Sequence, residues 1–249
     1  MQDLGLGGFI DCMRQIFTRY IRWAAVMVVL GFLSACMKAD VDYFDYYGDR
    51  GYFNPDTVKG ENDLAIGTVR SQDGVRYIRL DEMSCSQVMN PKEIADIKDG
   101  TRVFLQFRYV VAPSIAEFCT DAILVEWVSP LDMGEIRYEM SASAGDPVDI
   151  LTDWMTSLED GFLTLHYAIK ASGSVKHEFS LYPSTEPNAY RLIHDAHGDG
   201  KGSQTDGIVC FEVSGVLPDM AGEKVALHLD YIDLNNTQKR LTVEYQSPK

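Results

Sequence analysis

The twelve residues from 195 to 206, DAHGDGKGSQTD, have a spacing that could bind a hard cation. Aligned with an EF-hand calcium loop, Asp195, Asp199 and Asp206 stand at positions 1, 5 and 12, where oxygen ligands are needed. Position 3, however, is His197, whose nitrogen calcium disfavours, and the flanking segments alternate like strands instead of helices. A Gly-rich connection in which aspartates cap turns explains the same residues. We therefore predict no tight calcium site and no cofactor.

The histidines are predicted to be structural. Strand parity places His177 and His194 on the same face as their apolar neighbours, so both should point inward. A lone inward histidine is more often a hydrogen-bonded core residue than a ligand. His166 and His228 fall on the opposite parity, which predicts solvated side chains.

The chain carries no recognisable catalytic motif. It lacks Gly-x-Ser-x-Gly and His-Glu-x-x-His, and no cysteine and histidine form a local signature. We therefore predict no catalytic residue and a protein that is not an enzyme. A hydrolase stays as the alternative, because 37 acidic residues offer many carboxylate pairs and only geometry selects among them.

Cys36 has the most specific chemistry in the chain. It ends the tetrapeptide LSAC, which follows three arginines and an almost wholly apolar run over residues 23–33. Such a pattern is typical of a secretory signal, and the run is too short for a membrane span, which takes about 20 apolar residues. LSAC resembles the lipobox of bacterial lipoproteins, whose cysteine is acylated. We predict a signal peptide over 1–35, with Met13 as an alternative start, and a lipid on Cys36; an ordinary signal cut near Ala35 is the alternative.

Three further cysteines follow. Cys210 lies in the run IVCF and is predicted to be a small buried apolar residue. Cys85 and Cys119 fall within one predicted domain, and secretion would place them in an oxidising compartment. A disulfide needs their Cα atoms within about 7 Å, which the sequence does not decide, so this pairing stays open.

Alternation with a period of two dominates the chain after a predicted acidic, aromatic tether over residues 36–59. Segments 64–69 and 75–80 flank an SQDG turn, and a helix is predicted from Asn90 to Ile97. Val103, Leu105 and Phe107 share one face of the next strand. With strands at 120–129 and 134–139, this half predicts an OB-like small barrel over 60–140.

The second half repeats the alternation after a small-residue break at 141–147. Leu163, Leu165 and Ile169 lie on one face of a strand, and Leu227 and Leu229 on one face of another. Short strands separated by turn residues predict an antiparallel β-sandwich over 146–249. The predicted fold class is therefore all-β, a barrel followed by a sandwich.

Several motifs connect this arrangement to a known family. They are GTV at 67–69, DGTRV at 99–103, DW at 153–154, EDGFLTL at 159–165, KH at 176–177 and HDAHGD at 194–199. In these motifs, and over nearly all of residues 60–249, the chain resembles the NigD-like lipoproteins. The resemblance implies an N-terminal OB-type domain, a C-terminal β-sandwich and a lipid anchor. It suggests a link to bacteriocin immunity and implies no catalytic residue.

The charge of the chain argues against nucleic-acid binding. Residues 1–35 hold three of the 22 basic and two of the 37 acidic residues, so the remainder holds 19 and 35 and carries a net charge of −16. Such a body is repelled by phosphate backbones. We predict a membrane-anchored, non-enzymatic envelope protein that binds an unknown protein or envelope ligand. Glycan binding is the alternative, and Met37 after the cysteine favours the outer membrane.

Overall fold

The computed structural model describes residues 58–81, 84–112, 114–139, 144–216 and 224–246. The predicted signal peptide, the lipid on Cys36 and the tether up to residue 57 lie outside these ranges and stay predictions. The described residues form strands and one short 3-10 helix, and none of their helices is long and apolar enough to cross a membrane. The predicted all-β class is confirmed.

Five strands close into a barrel in the order β1-β2-β3-β5-β4, with β4 pairing back to β1. They are β1 Val58–Gln72, β2 Val75–Leu80, β3 Cys85–Val88, β4 Arg102–Val110 and β5 Asp121–Pro130. β3 and β5 run parallel and the other neighbours antiparallel. Val103, Leu105 and Phe107 are buried in the barrel core, as their alternation predicted. The OB-like barrel is confirmed.

The connection from β3 to β4 contains a 3-10 helix, Pro91–Ile94, which is shorter than the predicted helix. Asn90 stands at its N-cap position, but the Asn90 side chain makes no capping hydrogen bond. Its side-chain amide donates to the carbonyl of Val125 at 2.7 Å, and its Oδ1 accepts from the Val125 N–H at 2.9 Å. The Asn90 side chain therefore hydrogen-bonds both backbone groups of Val125 on β5. The helix that follows Asn90 ends at Ile94, whose side chain is buried.

Two sheets form the sandwich. One has the order β6-β13-β10-β8, with β9 also paired to β10, and the other has the order β15-β14-β12-β11-β7. The strands are β6 Asp132–Met133, β7 Glu135–Ile136, β8 Asp149–Leu151, β9 Ser157–Glu159, β10 Phe162–Ala171, β11 Glu178–Pro183, β12 Ala189–Asp195, β13 Ser203–Glu212, β14 Lys224–Ile232 and β15 Gln238–Gln246. Leu163 and Leu165 of one sheet share a core with Leu227 and Leu229 of the other.

The strand predicted over 134–139 does not belong to the barrel. Its strand β7 pairs in parallel with β11, and β6 just before it pairs in parallel with β13, so residues 132–136 add a strand to each sandwich sheet. Gly134 between them lies against the buried ring of Phe211, where a Cβ would come within 2.1 Å of Cε1. Because only glycine fits there, the chain can cross from one sheet to the other. The predicted domain limits stay predictions.

Candidate binding surface

Three aromatic side chains form an exposed cluster to which both the barrel and the sandwich contribute. Trp127 on β5 is 49% exposed, and Trp154 in the turn between β8 and β9 is 54% exposed. The ring centroid of Phe104 on β4 lies 5.8 Å from that of Trp127, edge to face, and 6.1 Å from that of Trp154. Leu64 on β1 is also half exposed. We call Leu64, Phe104, Trp127 and Trp154 the aromatic surface.

The barrel half of this surface follows from strand register. Gln106 on β4 is the cross-strand partner of Leu64 on β1 and of Trp127 on β5. Cross-strand partners stand on the same face of a sheet. Because Leu105 fills the barrel core, its neighbours Phe104 and Gln106 point outward. One outer face of the barrel therefore presents apolar side chains from three adjacent strands.

Asp153 fixes the turn that carries Trp154. Its Oδ1 accepts from the N–H of Met155 at 3.0 Å, and its Oδ2 lies 2.6 Å from Nδ1 of His166. Thr156 adds a second tie, because its hydroxyl accepts from the His166 N–H at 3.0 Å. The turn is thus bonded to β10 on both sides of Trp154. A side chain on such a turn loses little conformational entropy when it binds a partner.

His166 is buried, whereas its strand parity predicted a solvated side chain. Only 7% of the residue is exposed, since the turn that contains Asp153 covers this face of β10. Its Nε2 lies 3.3 Å from Oδ2 of Asp206 on β13. The prediction was wrong because alternation indicates two faces of a strand, but not whether another segment covers the outer one. His228 is half buried, with Nδ1 2.9 Å from the Thr242 hydroxyl oxygen.

One carboxylate, that of Asp153, stands next to Trp154 in the chain. The side chains of Asp153 and Asp206, both next to His166, are 39% and 71% exposed. The cation of Arg108, on the outer face of β4, is matched by Glu126 at 2.5 Å. The surroundings of the aromatic surface therefore favour a ligand with positive charge over one with negative charge.

The three aspartates of the loop 195–206 have separate partners. Asp199 is buried and accepts from the backbone N–H of Ser172 at 3.0 Å in the connection after β10. Hydrogen bonding from Ser172 lowers the pKa of Asp199 below its usual range. Asp195 accepts from the N–H two residues on, in a turn, and Asp206 faces His166. Among the described residues, no group of three or more His, Cys, Asp or Glu could hold a metal ion.

His177 and His194 lie side by side inside the sandwich. Nδ1 of His194 donates to the carbonyl of Pro147 at 3.1 Å, so its Nε2 accepts from Nδ1 of His177 at 2.8 Å. Burial lowers the pKa of His194 and favours this neutral ring. Nε2 of His177 lies 3.6 Å from Oδ2 of Asp199. The pair thus lies between Pro147, in the connection before β8, and Asp199, in the connection after β12. Its structural role stays a prediction.

Sequence reasoning missed a buried ion pair of the barrel that the sandwich covers. The side chain of Arg102 is fully buried, and its Nη2 lies 2.5 and 2.6 Å from the two carboxylate oxygens of Asp81. It also donates to the hydroxyls of Thr68 at 3.2 Å and Thr164 at 3.4 Å. Ser157 donates to Asp81 at 2.7 Å. Parity places Arg102 on the outer face of β4, which the sandwich covers.

The cysteines are placed as follows. The sulfur atoms of Cys85 and Cys119 lie 2.9 Å apart at one end of the barrel. Cys210 on β13 is fully buried, and its Sγ donates to the hydroxyl of Thr164 at 3.5 Å. Cys36 lies outside the described residues.

Comparison with known proteins agrees with this fold. The NigD-like C-terminal β-sandwich domain matches residues 133–245. A candidate toxin-related protein from Parabacteroides distasonis is 22% identical, with a TM-score of 0.62 over 75% of this chain and 94% of that one. A NigD-like immunity protein from Bacteroides caccae is 16% identical, with a TM-score of 0.52 over 76% and 98%. A candidate lipoprotein from Bacteroides fragilis is 10% identical, with a TM-score of 0.53 over 76% and 100%. No curated protein matches the chain.

Proposed function

Because the chain is a NigD-like protein, with the C-terminal β-sandwich domain of that family over residues 133–245, we propose that it is a non-enzymatic binding protein of the cell envelope. A lipid on Cys36 holds it at a membrane, the outer membrane by preference. The aromatic surface docks a partner protein. Bacteriocin immunity is the version of this function that the similarity to an immunity protein supports.

The observation that carries the proposal is the pair of half-exposed indoles around Phe104. Trp is enriched among the residues that dominate binding energy in protein interfaces, and a contiguous exposed apolar patch marks an interaction site. The backbone that carries each indole is held in place before binding. Trp127 stands on a barrel strand, and the turn of Trp154 is bonded to His166.

Charge indicates the chemistry of the partner. Asp153 precedes Trp154 in the chain, His166 lies between the carboxylates of Asp153 and Asp206, and the whole chain carries a net charge of −15. A complementary partner presents apolar side chains flanked by lysines or arginines. Opposite charges of this kind accelerate association and make it sensitive to salt.

The anchor is tested with Cys36→Ala. The variant should leave the membrane fraction and lose the acyl mass, because acyl chains contribute about 0.8 kcal/mol per buried CH₂. Cys210→Ala is the matched control and should stay in the membrane fraction. Unchanged partition and mass in Cys36→Ala would contradict the lipid anchor.

The docking surface is tested by photo-crosslinking in cells from position 106, between Leu64 and Trp127, to identify the partner. Binding of the purified partner is then measured for Trp127→Ala and Trp154→Ala. Each truncation should weaken binding roughly 30-fold, the equivalent of about 2 kcal/mol for a dominant interface residue. Tyr138→Ala, at a tyrosine that is 83% exposed, is the control and should bind normally.

Three results would count against the proposed partner or its docking site. Wild-type affinity in both tryptophan variants would exclude the aromatic surface as the docking site. A neutral polysaccharide that retards the wild-type protein in a native gel, but neither tryptophan variant, would replace the protein partner with a glycan. An association rate that is independent of salt would contradict the proposed charge complementarity.

A further inference from the structure

Cys85 and Cys119 meet where the connection between β4 and β5 returns to the barrel. Their Sγ atoms lie 2.9 Å apart, one half buried and the other 6% exposed. The N–H of Thr120 donates to the carbonyl of Cys85 at 2.8 Å, and Ser86 is the Cα partner of Asp121. Backbone pairing therefore holds the two cysteines on adjacent chain segments, with their side chains directed at each other.

From this juxtaposition we propose that Cys85 and Cys119 form a native structural disulfide, an inference that rests on the proposed location outside the cytoplasm. The two thiols lose two protons and two electrons, and an S–S bond forms. The electron acceptor is the disulfide of an envelope thiol–disulfide oxidoreductase, which leaves as a dithiol. Cys210 does not compete, since it is buried in the sandwich against Thr164.

The bond fastens the connection 111–120 to β3. Besides the Thr120–Cys85 hydrogen bond, this connection has two further noncovalent ties: the Ala116 N–H donates to Oε1 of Gln87 at 2.8 Å, and the ring of Phe118 lies 5.2 Å from that of Tyr77. Both partners stand on the outer side of β2 and β3. Cross-linking positions that are 34 residues apart restricts the unfolded chain over a long loop, which is where a disulfide stabilises most.

The environment favours a structural bond over a redox-active one. Burial raises the pKa of Cys85 to about 12, and burial also raises the pKa of Cys119. Reactive cysteines have lowered pKa values, and thiols of high pKa are poor leaving groups in exchange. Once formed, the bond should therefore resist reduction in the folded protein.

The test uses the whole mature protein, isolated in detergent from the envelope without reductant. Free thiols are blocked, the protein is digested with trypsin, and the peptides are identified by mass spectrometry. Cleavage after Arg102 separates the two cysteines, so a peptide pair joined through Cys85 and Cys119 is direct evidence of the bond. The expected result is that pair, which disappears on reduction.

Thermal unfolding provides an independent measurement. Full reduction under denaturing conditions, followed by refolding with reductant, should lower the melting temperature by about 5–10 °C. Cys119→Ala should have the lower melting temperature and no response to reductant, whereas Cys210→Ala should keep the response. If reductant leaves the melting temperature of the wild-type protein unchanged, the proposal is overturned.

Two unlinked, blocked cysteines in the isolated protein would also overturn the native bond, and oxidised glutathione then separates the causes. Formation of the Cys85–Cys119 bond in vitro would trace the failure to the proposed location of the protein. Persistence of both thiols would trace it to the geometry. The mass-spectrometric result needs no variant, so it stands even if a substitution prevents folding.

Discussion

Replacement of Arg102 by methionine should destabilise the fold by several kcal/mol. The arginine side chain is fully buried, and its loss leaves the carboxylate of Asp81 with the hydroxyl of Ser157 as a donor. The hydroxyls of Thr68 and Thr164 lose a charged donor at the same time. Methionine fills a similar volume, so the main change is the uncompensated charge rather than a cavity.

The magnitude follows from the position of the pair. The Asp81 side chain is 16% exposed, so water can replace little of the lost interaction. Removal of one partner of a buried ion pair costs about 3–5 kcal/mol. For a chain of this size, such a loss lowers the melting temperature by about 6–20 °C.

The assay is urea and thermal unfolding of three variants. Arg102→Met should show the full loss. Arg102→Met combined with Asp81→Leu should be more stable than Arg102→Met alone, because no charge is left buried without a partner. Arg240→Met, at an arginine whose side chain is 41% exposed, should cost at most about 1 kcal/mol. A cost below about 1 kcal/mol for Arg102→Met, or a double variant no more stable than the single one, would refute a strong buried ion pair.

Two further predictions concern the sandwich. Stability should fall as the pH drops below about 6.5, because burial lowers the folded-state pKa of His194 and the unfolded chain is protonated first. This loss should continue until the pH passes the folded-state pKa and should be absent in His194→Gln, measured by urea unfolding between about pH 5 and pH 8. Millimolar calcium should leave the melting temperature unchanged, since Asp199 is already bonded to Ser172. A calcium site filled to 100 times its Kd would add about 2.7 kcal/mol, and an upward shift abolished by Asp199→Ala would contradict this prediction.

Alternation alone predicted the cores of both halves. Leu105 in the barrel and Leu165 in the sandwich are fully buried, as their strand parity requires. The same parity placed Phe104 on the outer face of β4, which belongs to the barrel part of the aromatic surface. These features are local, because side chains on a strand point to alternate faces whatever the strand packs against. The lipobox signal at Cys36 is likewise a property of neighbouring residues, and its prediction depends on no tertiary contact.

Only the tertiary structure decided which outer faces meet solvent. Arg102 and His166 have the parity of exposed residues, yet both are buried, because the sandwich covers Arg102 and the turn of Asp153 covers His166. Trp127 and Trp154 both contact Phe104, although the three residues lie on different elements. Cys85 on β3 meets Cys119, which lies just before β5. A period of two determines the direction of each side chain along its own strand. It contains no information about which strands pair or how one sheet packs on another. Packing of the sandwich on the barrel creates the aromatic surface and buries the ion pair, and the pairing of β3 with β5 within the barrel creates the cysteine pair.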